Sequence, residues 1–296
     1  MSVWVLDAPT HWRPLHTWTF IQPVISVFPV PDAPGILCVT LGQLEIREAR
    51  VLCCSSLSQV ALCEGEFRTV VGLSSGRVVS SSYSADMPSI EVYTLSHDGR
   101  LQASRSLVSP TEHVHNLAPV EGQTDALIGT TNGGHLFIWN VRTGHLLRRV
   151  TLGDSFTDAA CLHGYSLCGV LFVLLQHTSL LSLGQEDEQK GRAPFSLVAI
   201  NPLNGVVALA TRLCLPKDCV ERLVEVDVQD SRVIGVFQSG SVCIWQLGSH
   251  HGQQGEWLPD LGCQLAHWGA QGTLLTAHIS GDVFLYRHRP VYCKPL

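Results

Sequence analysis

The stretch Gly240-Ser-Val-Cys-Ile-Trp245 recurs in the same register as Gly134-His-Leu-Phe-Ile-Trp139 and Gly281-Asp-Val-Phe-Leu-Tyr286. Each copy reads glycine, small or polar, apolar, any residue, apolar, aromatic. Weaker copies are Gly42-Gln-Leu-Glu-Ile-Arg47, Ile90-Glu-Val-Tyr93 and Leu197-Val-Ala-Ile200. The copies end near 47, 93, 139, 200, 245 and 286, at intervals of 46, 46, 61, 45 and 41 residues. A WD-type propeller blade occupies about 40–45 residues, so the repeat predicts an all-β, WD-type β-propeller. The glycine makes the tight turn from the second strand of a blade, and the apolar pair and aromatic form its third strand. The fourth, outer strands are expected at Val51–Cys54, Leu101–Leu107, Leu146–Leu152 and Val206–Leu213. The long interval contains a polar loop at about 179–194, with Gly184–Arg192 reading GQEDEQKGR. One blade leaves both faces uncovered, so residues 1–296 are read as a single ring of stacked blades.

The rest of the chain agrees with strands. Apolar residues alternate or form short runs, as in Val24–Val30, Ile36–Leu41, Val170–Leu175 and Arg232–Phe237, with turn residues between them. No window of 11 residues carries helical spacing. Val3–Leu6 lies 41 residues before Arg47 and reads as a further third strand, with Leu15–Phe20 as its outer strand. The first blade is therefore expected to be incomplete in this chain. A six-bladed ring closed by the N-terminal segment is the alternative.

Composition sets the class. Hydrophobic residues make up 45% of the 296 and charged residues 15%, with mean hydropathy +0.19. Such a chain buries a large core and is no disordered tail. The net charge of −6 and pI near 6.1 lack the basic footprint of a nucleic-acid binder, so no direct nucleic-acid site is expected. The longest apolar run, Cys168–Leu175, has 8 residues, and a spanning helix needs about 20. No membrane segment is expected, and the N-terminus lacks the pattern of a secretory signal. The 11 cysteines are odd in number and show no C-x-x-C spacing. They read as free thiols in a reducing compartment, cytosol or nucleus.

Gly72-Leu-Ser-Ser-Gly76 matches G-x-S-x-G, but a nucleophile elbow leads from strand into helix, and here a strand follows. His113 with His115, His250 with His251, and Cys214 with Cys219 are pairs without a second pair at zinc spacing. Cys53 and Cys54 are adjacent, so on a strand they face opposite ways. No phosphate loop or dinucleotide fingerprint occurs. No catalytic residue, metal site or cofactor is expected. From the residues alone, the reading ends at an intracellular propeller serving as a binding platform.

Leu6–Val30, LDAPTHWRPLHTWTFIQPVISVFPV, goes further. With Leu41–Glu48, Ala126–Thr131, Ile138–Leu147 and Val198–Pro202, it resembles the family of C-terminal propellers of the partner and localizer of the breast cancer type 2 susceptibility protein. The resemblance covers nearly the whole chain and implies a seven-bladed propeller. It implies a nuclear, non-enzymatic scaffold in homologous-recombination repair of DNA double-strand breaks. Its partner would be a short N-terminal helix of the breast cancer type 2 susceptibility protein, with the strand-exchange recombinase and other repair factors as further candidates. The helix would lie in an inter-blade groove with an aromatic anchor in a pocket. Carried over position by position, the pocket would use Gln123, Ala126, Ile138, Leu147, Arg148, His163, Leu171 and Pro202. Gln123 stands where the family pattern has methionine, and His163 where it has lysine. A generic WD-repeat adaptor, such as a ubiquitin-ligase substrate receptor, is the rival reading. An enzyme is a third, but no carboxylate or histidine cluster recurs at equivalent repeat positions.

Overall fold

A computed structural model describes residues 1–8, 11–83, 88–157, 159–177, 193–215, 223–229, 232–247, 255–258, 262–269 and 272–287. Two compact units are present: Met1–Phe172 with Ile200–Val207, and Val173–Ala199 with Ala208–Leu296. Most of the expected polar loop, together with His250, His251 and Cys219, lies outside the described residues.

The first unit opens with an antiparallel ribbon, β1 (Ser2–Ala8) and β2 (His11–Thr17). Then comes a meander of β3 (Val24–Pro29), β4 (Ile36–Gly42), β5 (Ile46–Cys53) and β6 (Ser58–Leu73). The 16-residue β6 serves two sheets. Its first part pairs with β5, and its second with β7 (Arg77–Tyr83), which continues into β8 (Pro88–Leu95) and β9 (Leu101–Ser106). The next meander is β10 (Asn116–Glu121), β11 (Ala126–Thr130), β12 (His135–Asn140) and β13 (His145–Thr151). β14 (Ala159–Leu167) and β15 (Val170–His177) follow a short 3-10 turn at Asp154–Phe156. The second unit holds β16 (Phe195–Ile200) and β17 (Val207–Leu213). It continues with β18 (Leu223–Gln229), β19 (Arg232–Phe237), β20 (Val242–Gln246) and β21 (Glu256–Leu258). It ends in β22 (Cys263–Trp268), β23 (Thr273–His278) and β24 (Val283–Arg287).

The repeat positions near 93, 139, 200, 245 and 286 fall in β8, β12, β16, β20 and β24. The copy at Gly42–Arg47 lies differently. It crosses the turn from β4 into β5, and Val51–Cys53 belongs to β5 itself. Burial sets that register: Ala49, Val51 and Cys53 face the core, whereas Arg47 is exposed. Leu15–Phe20 likewise runs past the end of β2 at Thr17. Gly72–Gly76 is a strand-to-strand turn between β6 and β7.

Neighbouring sheets of the first unit bury their facing sides against one another. Cys38, Val51, Val70 and Val78 share one core, and Val79, Val92, Leu127 and Trp139 share the next. Trp18 packs the N-terminal ribbon on Val39, Leu41 and Leu52. In the second unit Ile234, Ile244, Ala266 and Leu274 form a further core. Two tryptophans at equivalent repeat positions are fully buried and make the same bond. Trp139 Nε1 donates to the Val108 carbonyl and Trp245 Nε1 to the Cys214 carbonyl, both at 2.9 Å.

The repeat glycine also has a common geometry. Gly134, Gly240 and Gly281 donate N–H to the carbonyls of Thr131, Phe237 and His278, at 3.2, 2.8 and 2.9 Å. Those three residues in turn donate to the carbonyls of His135, Ser241 and Asp282. Closing this hairpin needs positive φ, which is +85° at Gly240 and +87° at Gly281. At Gly240 a β-carbon would also lie 2.6 Å from the Gly262 nitrogen; at Gly281 the space is open.

One charged cluster joins β18 to β22. Asp227 Oδ2 accepts the Trp268 backbone N–H at 2.7 Å and lies 3.3 Å from His267 Nδ1. The bond to Asp227 holds the His267 imidazole above its ordinary value. Burial holds the Glu225 carboxyl above its ordinary value too.

Two predictions follow from these features. Gly281→Ala is expected to cost about 1–2 kcal/mol, the left-handed penalty alone. Gly240→Ala should cost a further 1–3 kcal/mol or so for the backbone clash. Urea midpoints at constant slope measure both. The second prediction concerns pH. A histidine raised by its partner contributes stability that is full below the unfolded value near 6.5 and is lost as pH rises through the folded value. The raised Glu225 carries the same sign, but its loss begins lower, above the unfolded value near 4.5, so the change above pH 6 is assigned to His267. The urea midpoint should therefore fall from pH 6 to pH 8.5, and His267→Gln should flatten that slope.

Candidate functional site

In an antiparallel meander the turns after the first and third strands lie at one end. Gln123 and Asp125 lie in the turn between β10 and β11, and Ala126 opens β11. β13 begins four residues after Val141, which starts the turn between β12 and β13, and carries Leu147 and Arg148 as its third and fourth residues. β14 runs parallel to β10, pairing Val120 with Gly164 and Glu121 with Tyr165. The turn before Leu171 is thus at the same end as the turn holding Gln123. A β-carbon at Gly164 would lie 2.9 Å from Ile128 Cδ1 and 3.3 Å from Val120 Cγ2, so the absent side chain permits this close approach.

The two faces of the β10–β13 sheet divide the work. Leu127, Phe137 and Trp139 face the preceding sheet. Ile128, Ile138 and Arg148 are cross-strand partners and so share the other face, the one that β14 approaches. Ile138 is buried, and Arg148 is half-buried. Arg148 Nη2 donates to the Leu203 carbonyl, next to Pro202, while its buried Nε has no acceptor among the described residues. The register skips Leu147, a bulge residue that is 57% exposed. Leu203 is 83% exposed. The bulge therefore presents an apolar side chain to solvent beside a cation tied to the Pro202 turn.

The other positions gather on the β10 side. Gln123 is exposed, its N–H donates to the Val120 carbonyl, and its carbonyl accepts from half-buried Ala126. His163 Nε2 lies 3.1 Å from Glu121 Oε2. Leu171 is buried within β15 and is core, as is Ile138. The geometry thus joins Ile138, Arg148 and the Pro202 turn, and places Gln123, Ala126 and the Glu121–His163 pair along β10. Leu147 and Leu203 stand exposed beside it. Leu203 was not a sequence candidate; an apolar residue between Pro202 and Asn204 in a turn is its signal.

Arg77 was also missed. It is 9% exposed, at the start of β7. Nε donates to the Ser74 carbonyl at 2.8 Å, Nη2 to the Thr124 carbonyl at 2.6 Å, and Nη1 to Asp125 Oδ1 at 3.0 Å. The Asp125 carbonyl in turn accepts the Val141 N–H at 2.8 Å.

The Cys53 thiol is shielded and the Glu112 cluster is structural. Among the described residues no three histidine, cysteine or acidic side chains converge as a metal site requires. Burial pushes the Cys53 thiol up, but hydrogen bonds from Ser55 and Ser56 outweigh it and bring it to about 7. At 2% exposure that sulfur does not face solvent. Glu112 accepts from His135 Nδ1 at 2.7 Å and also pairs with Arg149, bracing β12 and β13.

The family model described as Partner and localizer of BRCA2 WD40 domain matches residues 1–287. The human protein named Partner and localizer of BRCA2 is 36% identical over 300 residues, covering 97% of this chain and 24% of that protein. Its mouse counterpart is 35% identical over 298 residues, covering 97% and 26%. The chain therefore spans 24–26% of the length of these curated relatives. A chain of the mitotic checkpoint complex superposes with TM-score 0.56 at 15% identity, over 97% of this chain and 84% of that one. The U3-55K structure gives 0.58 at 10% identity over 91% and 79%. The Neurospora crassa Pan2 WD40 domain gives 0.55 at 9% identity over 90% and 76%. The fold is all-β and of the WD-type propeller class.

Proposed function

The chain belongs to the Partner and localizer of BRCA2 WD40 domain family, and on that premise we propose that it is a non-catalytic repair scaffold that holds a peptide helix. The partner is the short N-terminal helix of the breast cancer type 2 susceptibility protein. Through it the scaffold aids recruitment of the recombinase in homologous-recombination repair, in the nucleus.

One observation carries this reading. Exposed Leu147 and Leu203 stand beside half-buried Arg148, which donates to the Leu203 carbonyl, in the same unit as the turn holding Gln123 and Ala126. Apolar residues flanking a cation suit an amphipathic helix. An aromatic anchor supplies apolar burial, and a carbonyl or acidic group of the peptide accepts from Arg148. The Glu121–His163 pair flanks the same strand and supplies polar contacts. Gln123, where the family pattern has methionine, contributes an amide in place of apolar contact.

Ala126→Arg tests this. A long side chain on a half-buried strand start fills space needed by the anchor while its guanidinium reaches water. An anchor carries about 2–4 kcal/mol of binding energy. Losing about 4 kcal/mol weakens affinity roughly a thousandfold. Calorimetric titration with the helix peptide should show that loss at an unchanged melting temperature. Unchanged affinity would place the groove elsewhere and favour a generic adaptor, whereas a collapsed melting curve would mark Ala126 as core.

A further inference from the structure

We infer that Arg77 is a positioning residue for the peptide groove: from the neighbouring sheet, it fixes the turn that carries Gln123 and Ala126. This rests on the proposed groove and adds the device that shapes it.

Arg77 sits at the start of β7, 46 and 49 residues before Gln123 and Ala126 in the chain. It is nearly buried, so its charge has little water to fall back on. Two of its three acceptors, the Thr124 carbonyl and the Asp125 carboxylate, belong to the turn between Gln123 and Ala126. The third, the Ser74 carbonyl, anchors it to its own turn. A planar fork with donors in fixed directions can span the three; an ammonium on a flexible stem holds one or two at a time.

Arg77 is itself held. Ser75, with φ of +65°, donates its N–H to Asp32 Oδ2 at 2.9 Å. Gly76 N–H donates to the Pro31 carbonyl at 3.1 Å. The first-to-second turns of three successive sheets are thus bonded in line: residues 30–35, 74–76 and 122–125. The last is a lip of the groove. Gly122, at φ of +76° with open space around it, leaves the turn locally soft. Without Arg77, Gln123 and Ala126 would sample positions away from the bound geometry, and binding would carry the ordering cost.

A purely structural role would lower stability and change affinity only in proportion. A positioning role moves affinity and local opening ahead of stability. The test compares Arg77→Met, Arg77→Lys and Asp125→Asn with the wild type. Gly281→Ala, in the other unit, is a generically destabilised control. Each is titrated with the synthetic helix peptide, melted, and followed by hydrogen exchange at the Gln123 and Ala126 amides. Arg77→Met is expected to weaken binding at least roughly tenfold and to speed exchange at those amides. Arg77→Lys should recover part of the affinity, and Asp125→Asn should lose less than Arg77→Met. If Arg77→Met does not fold, Arg77→Lys and Asp125→Asn carry the same comparison. Wild-type affinity and exchange in the Arg77 and Asp125 variants would overturn the inference, as would an equal affinity loss in Gly281→Ala. If Ala126→Arg leaves affinity intact, the groove reading itself fails, which is a separate outcome.

Discussion

Two buried indole N–H groups find carbonyl acceptors, and those bonds tie the β10–β13 and β18–β21 sheets together. Trp139 and Trp245 reach carbonyls at Val108 and Cys214, each 31 residues upstream. Those acceptors precede the first strand of the sheet whose third strand bears the indole. The bond therefore pins the entry of a meander to its third strand. An orphaned N–H there would cost about 1–3 kcal/mol, and loss of the ring about 3–5 kcal/mol. Tyr93 is a variation at the equivalent position: it is nearly buried, and its hydroxyl bonds to Ser80 and Cys63. The polar tip again ties the third strand inward, now to strands β7 and β6.

With each sheet pinned, the turns at its ends become placeable. Antiparallel order puts first-to-second and third-to-fourth turns together, and Gly164 lets β14 come against Val120 and Ile128. The region proposed as the peptide groove is then assembled from long-range bonds: Arg148 to the Leu203 carbonyl, His163 to Glu121, and Arg77 to Thr124 and Asp125. None of these joins residues closer than 42 in the chain.

That separation explains what could be read from the sequence. Glycine turns and apolar–aromatic strands are local, so the strands at Leu136–Trp139, Val242–Trp245 and Val283–Tyr286 were legible in the pattern. The copy at Gly42–Arg47 misled because Arg47 stands where the aromatic should be, and burial of Ala49 and Val51 sets the register instead. The groove positions rested on family resemblance alone. Spacing says nothing of a bulge at Leu147, which needs the β12–β13 register to be visible. Leu203 and Arg77 escaped for the same reason: an exposed leucine and an arginine among serines look ordinary until their partners are placed. Ile138 and Leu171 were the opposite case, apolar strand residues that the fold buries and that can serve only as the floor of a groove.

The division between floor and lip has an energetic consequence. Floor residues such as Ile138 belong to the packed sheets, where truncation costs about 2–5 kcal/mol and is felt as lost stability. Lip residues such as Leu147 and Leu203 are solvent-exposed, so their removal leaves the folded state almost unchanged. Arg77 falls between these classes. Its side chain is buried like a core residue, but two of its three acceptors lie in a turn that forms the lip. A protein whose recognition surface is made of turns needs such groups, because turns contribute few apolar contacts of their own. Stability and recognition are then separable at Leu147, coupled at Ile138, and joined through a single guanidinium at the Gln123–Ala126 turn.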